Sequence, residues 1–152
     1  MFLVICLCSC NYFEKKKVNA DDILNEELRT FNWNEVDEYP TFTACDSVTS
    51  KPERKQCFET TLTTHILNNL SASKIVVTES VHDTVIMKFQ ISEKGELTVN
   101  EIASSGIIKN QIPKIDSLLY LSVHDLPKIF PAIKRGQQVK TEFQIPIVIQ
   151  AD

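Results

Sequence analysis

The chain is poor in glycine, in positive charge and in long apolar runs, and each shortage removes a class of function. Only three glycines occur in 152 residues, which excludes glycine-rich phosphate loops because dinucleotide and P-loop motifs place several glycines close together. The net charge of −4 argues against nucleic-acid binding, since phosphate contacts require a concentrated basic surface. The length favours one domain of about 100 residues with appendages.

Residue patterns typical of catalysis and of metal binding are also missing. The three histidines, His65, His82 and His124, are scattered along the chain. Two of them precede an aspartate, but adjacent side chains point to opposite faces of a strand and diverge by about 100° on a helix. No Cys-x-x-Cys pair or histidine cluster suggests zinc. We therefore expect no catalytic residue, no metal and no cofactor.

The first ten residues are apolar but far shorter than the roughly 20 residues that a membrane-spanning helix requires. Leu7-Cys8-Ser9-Cys10 has the pattern of a bacterial lipobox, which ends in the cysteine that is acylated. No basic residue precedes Cys10, so either the true start lies upstream or the signal is atypical. The alternative is an apolar terminus whose cysteines are accidental. We expect residues 1–9 to be a lipoprotein signal peptide and Cys10 to carry the lipid.

The remaining chain is expected to divide into a tether, residues 10–38, and a domain, residues 39–152. Within the tether, Leu24, Leu28 and Phe31 would share one face of a short helix over residues 21–31. With a lipid on Cys10, the protein would lie in the cell envelope, anchored to a membrane and facing the periplasm.

The last strand, predicted over residues 139–149, is the most informative part of the domain. Apolar residues occupy its odd positions except Thr141, which places one face on a core and the other in water. Pro146 has no N–H for a ladder, so we expect a sheet edge or a bulge there. An exposed edge strand is a place where another chain docks. The expected partner-binding edge consists of Val139, Lys140, Thr141, Glu142, Phe143, Gln144 and Ile145.

The other predicted elements form a simple order. A helix covers residues 52–70, and strands over 81–91 and 97–102 are joined by a turn at Gly95. A second helix is expected from about Asn110 to Asp125, followed by a loop over residues 130–136. A helical crossover should return the last strand parallel to the second strand, with the first strand between them. The predicted fold class is α+β, a two-layer sandwich of a three-stranded antiparallel-type sheet with two helices on one face.

Two cysteines, Cys45 and Cys57, lie inside the predicted domain. If the chain is exported they meet an oxidising compartment and are able to pair. The bridge would close a loop of about a dozen residues and add about 3 kcal/mol of stability. The alternative is two free, buried cysteines, and their spacing alone does not separate the two states.

Several short motifs give residues 39–150 a resemblance to a known family, the C-terminal domain of TonB in the divergent form of Bacteroidetes-type bacteria. Each motif is short, and it is their order and spacing together that make the resemblance fairly specific. The residues that carry it are the segment 39–45, Cys57-Phe58, the strand 84–91, Lys94-Gly95, Leu126-Pro127, 130–132, 134–139 and 143–147.

The resemblance implies a periplasmic module that binds a segment of a TonB-dependent outer-membrane transporter by strand addition to its last strand. A complete energy transducer needs an inner-membrane helix and a long proline-rich spacer, so we expect a TonB-like lipoprotein. The alternative function is a structural or scaffold lipoprotein of the envelope without a transporter partner. Whether two copies form a homodimer by edge pairing stays open.

Overall fold

The computed structural model describes the backbone of residues 31–32 and residues 36–151 in full. The signal peptide, Cys10 and residues 21–30 of the expected tether helix lie outside the described residues. In the described part, no helix is long and apolar enough to cross a bilayer. The strands are β1 (Phe31–Asn32), β2 (Thr41–Phe42), β3 (Val81–Ile91), β4 (Leu97–Ala103), β5 (Ile129–Phe130), β6 (Ala132–Lys134), β7 (Gln137–Val139) and β8 (Thr141–Ala151). The helices are α1 (Lys51–Ser71), α2 (Gly106–Gln111) and α3 (Ile115–Leu121).

The main sheet has the strand order β1-β8-β3-β4. β3 is antiparallel to both β4 and β8, which confirms the predicted order of the three long strands and the α+β class. The β3–β8 ladder runs from Val81 opposite Ala151 to Ile91 opposite Thr141 without a shift. The β3–β4 ladder shifts by one residue between Lys88 and Phe89. An extra residue of this kind is a β-bulge, and bulges are frequent at sheet edges.

Helix α1 forms as its sequence predicts. Its N-cap, Ser50, accepts a hydrogen bond from the backbone N–H of Glu53, and Pro52 lies in the first turn. Both features suit a helix start, because a hydroxyl satisfies a free N–H there and proline has none to lose. The residues buried from α1 recur every four positions, at Phe58, Leu62, Ile66 and Leu70.

The hydrophobic core lies between α1 and the face of the sheet that carries the odd-numbered residues of β3 and β8. A chain of aromatic rings connects these elements. Phe42 stacks on Phe58 with ring centroids 4.9 Å apart, Phe58 meets Phe143 edge-on at 5.6 Å, and Phe143 stacks on Phe89 at 5.3 Å. Such ring pairs stabilise the fold slightly more than the burial of their apolar area alone would, because the rings prefer particular relative orientations.

The predicted second helix is wrong in its extent. Two short helices, α2 and α3, replace it, and Ser105 caps α2 through a hydrogen bond from the N–H of Ile108. Pro113 lies between the two helices. A proline removes a helical hydrogen bond and disfavours the helical region for the residue before it, and Ile112 accordingly has φ −129° and ψ 76°.

The predicted loop before the last strand and the start of that strand are also corrected. β6 and β7 form a hairpin across Arg135 and Gly136, whose φ values are +51° and +77°. Two successive positive φ angles are typical of tight hairpin turns. Val139 ends β7 and Lys140 separates it from β8, which begins at Thr141.

The folded unit begins before residue 39, where the domain was expected to start. β1 belongs to the main sheet, and Ile133 pairs with Glu38 in an isolated bridge. The backbone N–H of Asp37 also donates to the Ile133 carbonyl at 2.9 Å. Residues 31–32 and 37–38 of the expected tether are therefore part of the described fold.

Candidate functional site

The outer side of β8 is the candidate site, and Pro146 shows which of its residues face outward. Pro146 lies opposite Ile86 in a ladder that continues in register on both sides. Hydrogen-bonded and non-bonded pairs alternate along an antiparallel ladder, and proline is accommodated where its nitrogen faces away from the neighbouring strand. The even-numbered residues of β8 therefore direct their backbone N–H and C=O groups away from β3.

The first residues of this outer side are already paired with the protein's own chain. β1 runs parallel to β8, with Phe31 opposite Thr141 and Asn32 opposite Glu142. No other strand in the described residues pairs with this side of β8. A guest strand that leaves β1 in place would thus pair with β8 downstream of Glu142.

A groove runs beside the middle of this edge. Its volume is about 320 Å³, and it lies between α1 and β8. The α1 wall consists of small hydroxyl side chains and one carboxylate, and the other wall is the part of β8 around Ile145. The lining residues are Glu59, Thr60, Thr63, Thr64, Gln144, Ile145 and Pro146. A strand added to β8 would direct every second side chain into this groove.

The structure divides the seven residues of the predicted edge into three groups. Val139 and Lys140 precede β8, and Thr141 and Glu142 lie opposite Phe31 and Asn32 of β1. Phe143 is buried among the aromatic rings of the core. The last two, Gln144 and Ile145, line the groove.

The groove residues of α1 were missed in the sequence. Glu59, Thr60, Thr63 and Thr64 follow the core positions of the helix, but an amphipathic pattern does not reveal which polar side chains lie beside a strand edge. The apolar stripe that includes Phe58 and Leu62 fixes the orientation of α1. The sequence therefore predicted which face of α1 is buried, but not that the adjacent polar face lies beside the edge of β8.

The two cysteines of the domain are joined by a disulfide, with Cα atoms 6.0 Å apart. Cys45 ends a short 3-10 turn, Thr43–Cys45, and is completely buried. Cys57 lies one residue before Phe58 in α1. The bridge therefore ties the segment that follows β2 to the helix that forms one wall of the groove.

Two aspartates outside the groove have perturbed acidities. A hydrogen bond from the Ser105 hydroxyl, at 2.5 Å, lowers the pKa of Asp83 below its ordinary value, and the N–H of Thr84 adds to the effect. A hydrogen bond from Ser104 at 2.6 Å lowers the pKa of Asp116, with a further contribution from Lys109. Both hydroxyls stabilise the ionised carboxylate.

The histidines make structural contacts at separate places. His65 lies 3.0 Å from the His124 carbonyl oxygen and 2.9 Å from the Asn69 amide nitrogen. His82 contacts the Gln150 amide at the end of the β3–β8 ladder. Among residues 36–151, no three histidine, cysteine or acidic side chains converge as metal ligands would.

The geometry defines an α+β domain with an edge strand and an adjacent polar groove. No protein-family model, no curated protein and no solved structure significantly matches this chain.

Proposed function

We propose that the chain is a TonB-like lipoprotein of the cell envelope that binds a segment of a TonB-dependent outer-membrane transporter by strand addition to β8. The observation that carries the proposal is the outer side of β8, where backbone groups downstream of Glu142 face a groove of about 320 Å³. Main-chain hydrogen bonds give affinity in strand addition, and alternate side chains give specificity. We also propose that the domain has the two-layer sandwich fold of the TonB C-terminal domain.

Backbone amide signals of the ¹⁵N-labelled full-length chain provide the test. Synthetic peptides with the N-terminal box sequences of TonB-dependent transporters are titrated in, and we expect shifts along residues 144–150. The variant Gln144→Pro removes one outward N–H without removing a bond of the β3–β8 ladder, so it should weaken binding. The matched variant Val99→Pro makes the same change on β4, the opposite edge of the sheet, because Val99 lies opposite Phe89, whose backbone groups bond to β8; it should bind as the wild type does. Shifts confined to other surfaces would reject β8 as the binding edge.

The lipid anchor is tested separately. We expect the chain expressed in bacteria to incorporate labelled palmitate and Cys10→Ala to lose the label. Cys8→Ala, two residues away, serves as the control and should retain it. Label that persists in Cys10→Ala would move the anchor elsewhere or exclude it.

A scaffold function is the second candidate, and the β1–β8 pairing favours it. Phe31 and Asn32 occupy the start of the edge, as expected of a strand that completes its own sheet and binds no guest. The two candidates differ in the peptide titration, because a scaffold without a transporter partner gives no shift along residues 144–150 with any transporter peptide.

A further inference from the structure

Glu59 is the one charged side chain in the lining of the groove. The other lining residues are three threonines, a glutamine, an isoleucine and a proline. Glu59 is half-buried and takes part in no ion pair within the described residues. A carboxylate in such a position interacts strongly with a cation that approaches it, because partial burial weakens screening by solvent.

The nearest basic residues of α1 on the preceding turn are engaged elsewhere. The Lys55 ammonium group lies 5.7 Å from the centre of the Tyr39 ring. Arg54 donates to the Val48 carbonyl at 2.8 Å and pairs with Glu38 at 3.5 Å. The charge of Glu59 is therefore not balanced by its own helix.

The neighbouring strand carries charge of the same sign. Glu142 lies on β8 two residues before Gln144 and is exposed, and it also forms no ion pair within the described residues. Within the described residues, the groove lining therefore holds one carboxylate and no cation, while Glu142 lies on the exposed face of β8, away from α1, two residues after Lys140. A guest with acidic side chains would be repelled in the groove, and a guest with basic ones attracted.

We infer that Glu59 selects the guest: the added strand carries a lysine or arginine at the position whose side chain enters the groove beside Ile145. The inference rests on the proposed strand addition and specifies its partner. The remaining groove residues suit the stem of such a side chain, because three threonines and Ile145 offer methyl groups along its path, while Glu59 meets its charged end. Pro146 cannot donate, so this edge position contributes no N–H to the guest backbone.

The test is a selection from phage-displayed random seven-residue peptides on the full-length chain, with variants processed in parallel. Peptides selected on the wild type should be enriched in lysine or arginine at one position, and Glu59→Lys should instead enrich aspartate or glutamate there. Glu93→Lys, which changes an exposed carboxylate in the β3–β4 turn, is the matched control and should select as the wild type does.

Affinity measurements make the outcome quantitative. For the best basic peptide, Glu59→Gln should weaken binding by about tenfold, and added salt should weaken binding to the wild type more than to this variant. Thermal melting checks that each variant is folded.

Amide mapping separates the two proposals. Selected peptides that shift residues 144–150 without any basic preference, or that bind Glu59→Gln equally well, would overturn the role of Glu59 and leave strand addition in place. Failure of every peptide to shift residues 144–150 would overturn both.

Discussion

At the scale of single residues, the turn between β3 and β4 depends on Gly95. Its φ is +82°, and an alanine Cβ there would lie 2.1 Å from the Ile129 carbonyl oxygen. Gly136 also has a positive φ, +77°, but an added Cβ would meet nothing within 4 Å. An alanine at Gly136 would therefore introduce backbone strain alone, whereas an alanine at Gly95 would introduce both strain and a steric clash.

We expect Gly95→Ala to lower the free energy of unfolding by about 3 kcal/mol, because strain at a positive φ costs about 1 kcal/mol or more and the clash with Ile129 adds to it. Gly136→Ala should lose only about 1 kcal/mol. Urea unfolding of both variants measures the difference. Equal losses would show that β5 yields to the added methyl group.

The Ser104–Asp116 hydrogen bond predicts a pH dependence of stability. Because the pKa of Asp116 is lowered from 3.8 in the folded chain, its contribution is complete above that value and is lost as pH falls through the folded pKa. Ser104→Ala should therefore be less stable than the wild type at pH 6, and the difference should shrink as pH falls below about 4. Ser117→Ala, a change of an exposed serine on α3, is the control. If the difference in stability between the wild type and Ser104→Ala does not change with pH, the Ser104 hydrogen bond is not coupled to the ionisation of Asp116.

At the scale of secondary-structure elements, the sequence predicted the long elements well and the short ones poorly. α1 and β3 follow clear periodic patterns, β4 follows a weaker one, and all three occur within one residue of their expected bounds. The extent of the second helix was wrong because it was predicted from apolar residues that all follow Pro113, and the break at this proline, inside the predicted range, was overlooked. β1, β5 and the β6–β7 hairpin have two or three residues each, and such segments are stabilised by distant partners, not by a local pattern.

The disulfide connects two of these elements, and its removal should destabilise the domain. For the double variant Cys45→Ala/Cys57→Ala we expect the free energy of unfolding to fall by about 3 kcal/mol, since the bridge closes a loop with a separation of 12 residues.

A reducing agent provides the control for this prediction. It should destabilise the wild type by a similar amount, with a difference only from the cavity that the double variant has in place of the two sulfur atoms. The stability of the double variant should not change when the reductant is added. A wild type that unfolds identically with and without reductant would show that the thiols are not bridged in the purified protein.

At the scale of the whole molecule, the sequence predicted that the last strand is the outer one of the three long strands, but it did not predict the two-residue strand β1 that pairs with its outer side. Alternation and Pro146 together place β8 at the side of the sheet. Nothing in Phe31 or Asn32 signals their parallel pairing with a strand more than 100 residues later. Only the last two residues of the predicted edge, Gln144 and Ile145, line the groove. The other five precede β8, lie opposite β1 or are buried in the core.

The sheet protects its two outer sides by different means. On β4, the ladder shifts opposite Lys88, and Lys88 pairs with Glu101 at 2.6 Å. On β8, β1 covers the first residues and Pro146 interrupts the row of outward N–H groups. Bulges, charges and prolines at edges all limit pairing between copies.

We therefore expect Pro146 to limit edge-to-edge association with a second copy. Pro146→Val adds an outward N–H and a β-branched side chain, so edge-to-edge pairing should strengthen, by about tenfold in the association constant if two further hydrogen bonds form. Sedimentation velocity of the full-length variant over a concentration series measures the effect. Val148→Pro, which instead removes an outward N–H from the same edge, should not associate more than the wild type. If Pro146→Val sediments as the wild type does, the proline is not what keeps two copies apart. The covering strand β1 and the neighbouring helix α1 would then be the barrier. A guest strand would have to compete with the same barrier to pair with β8.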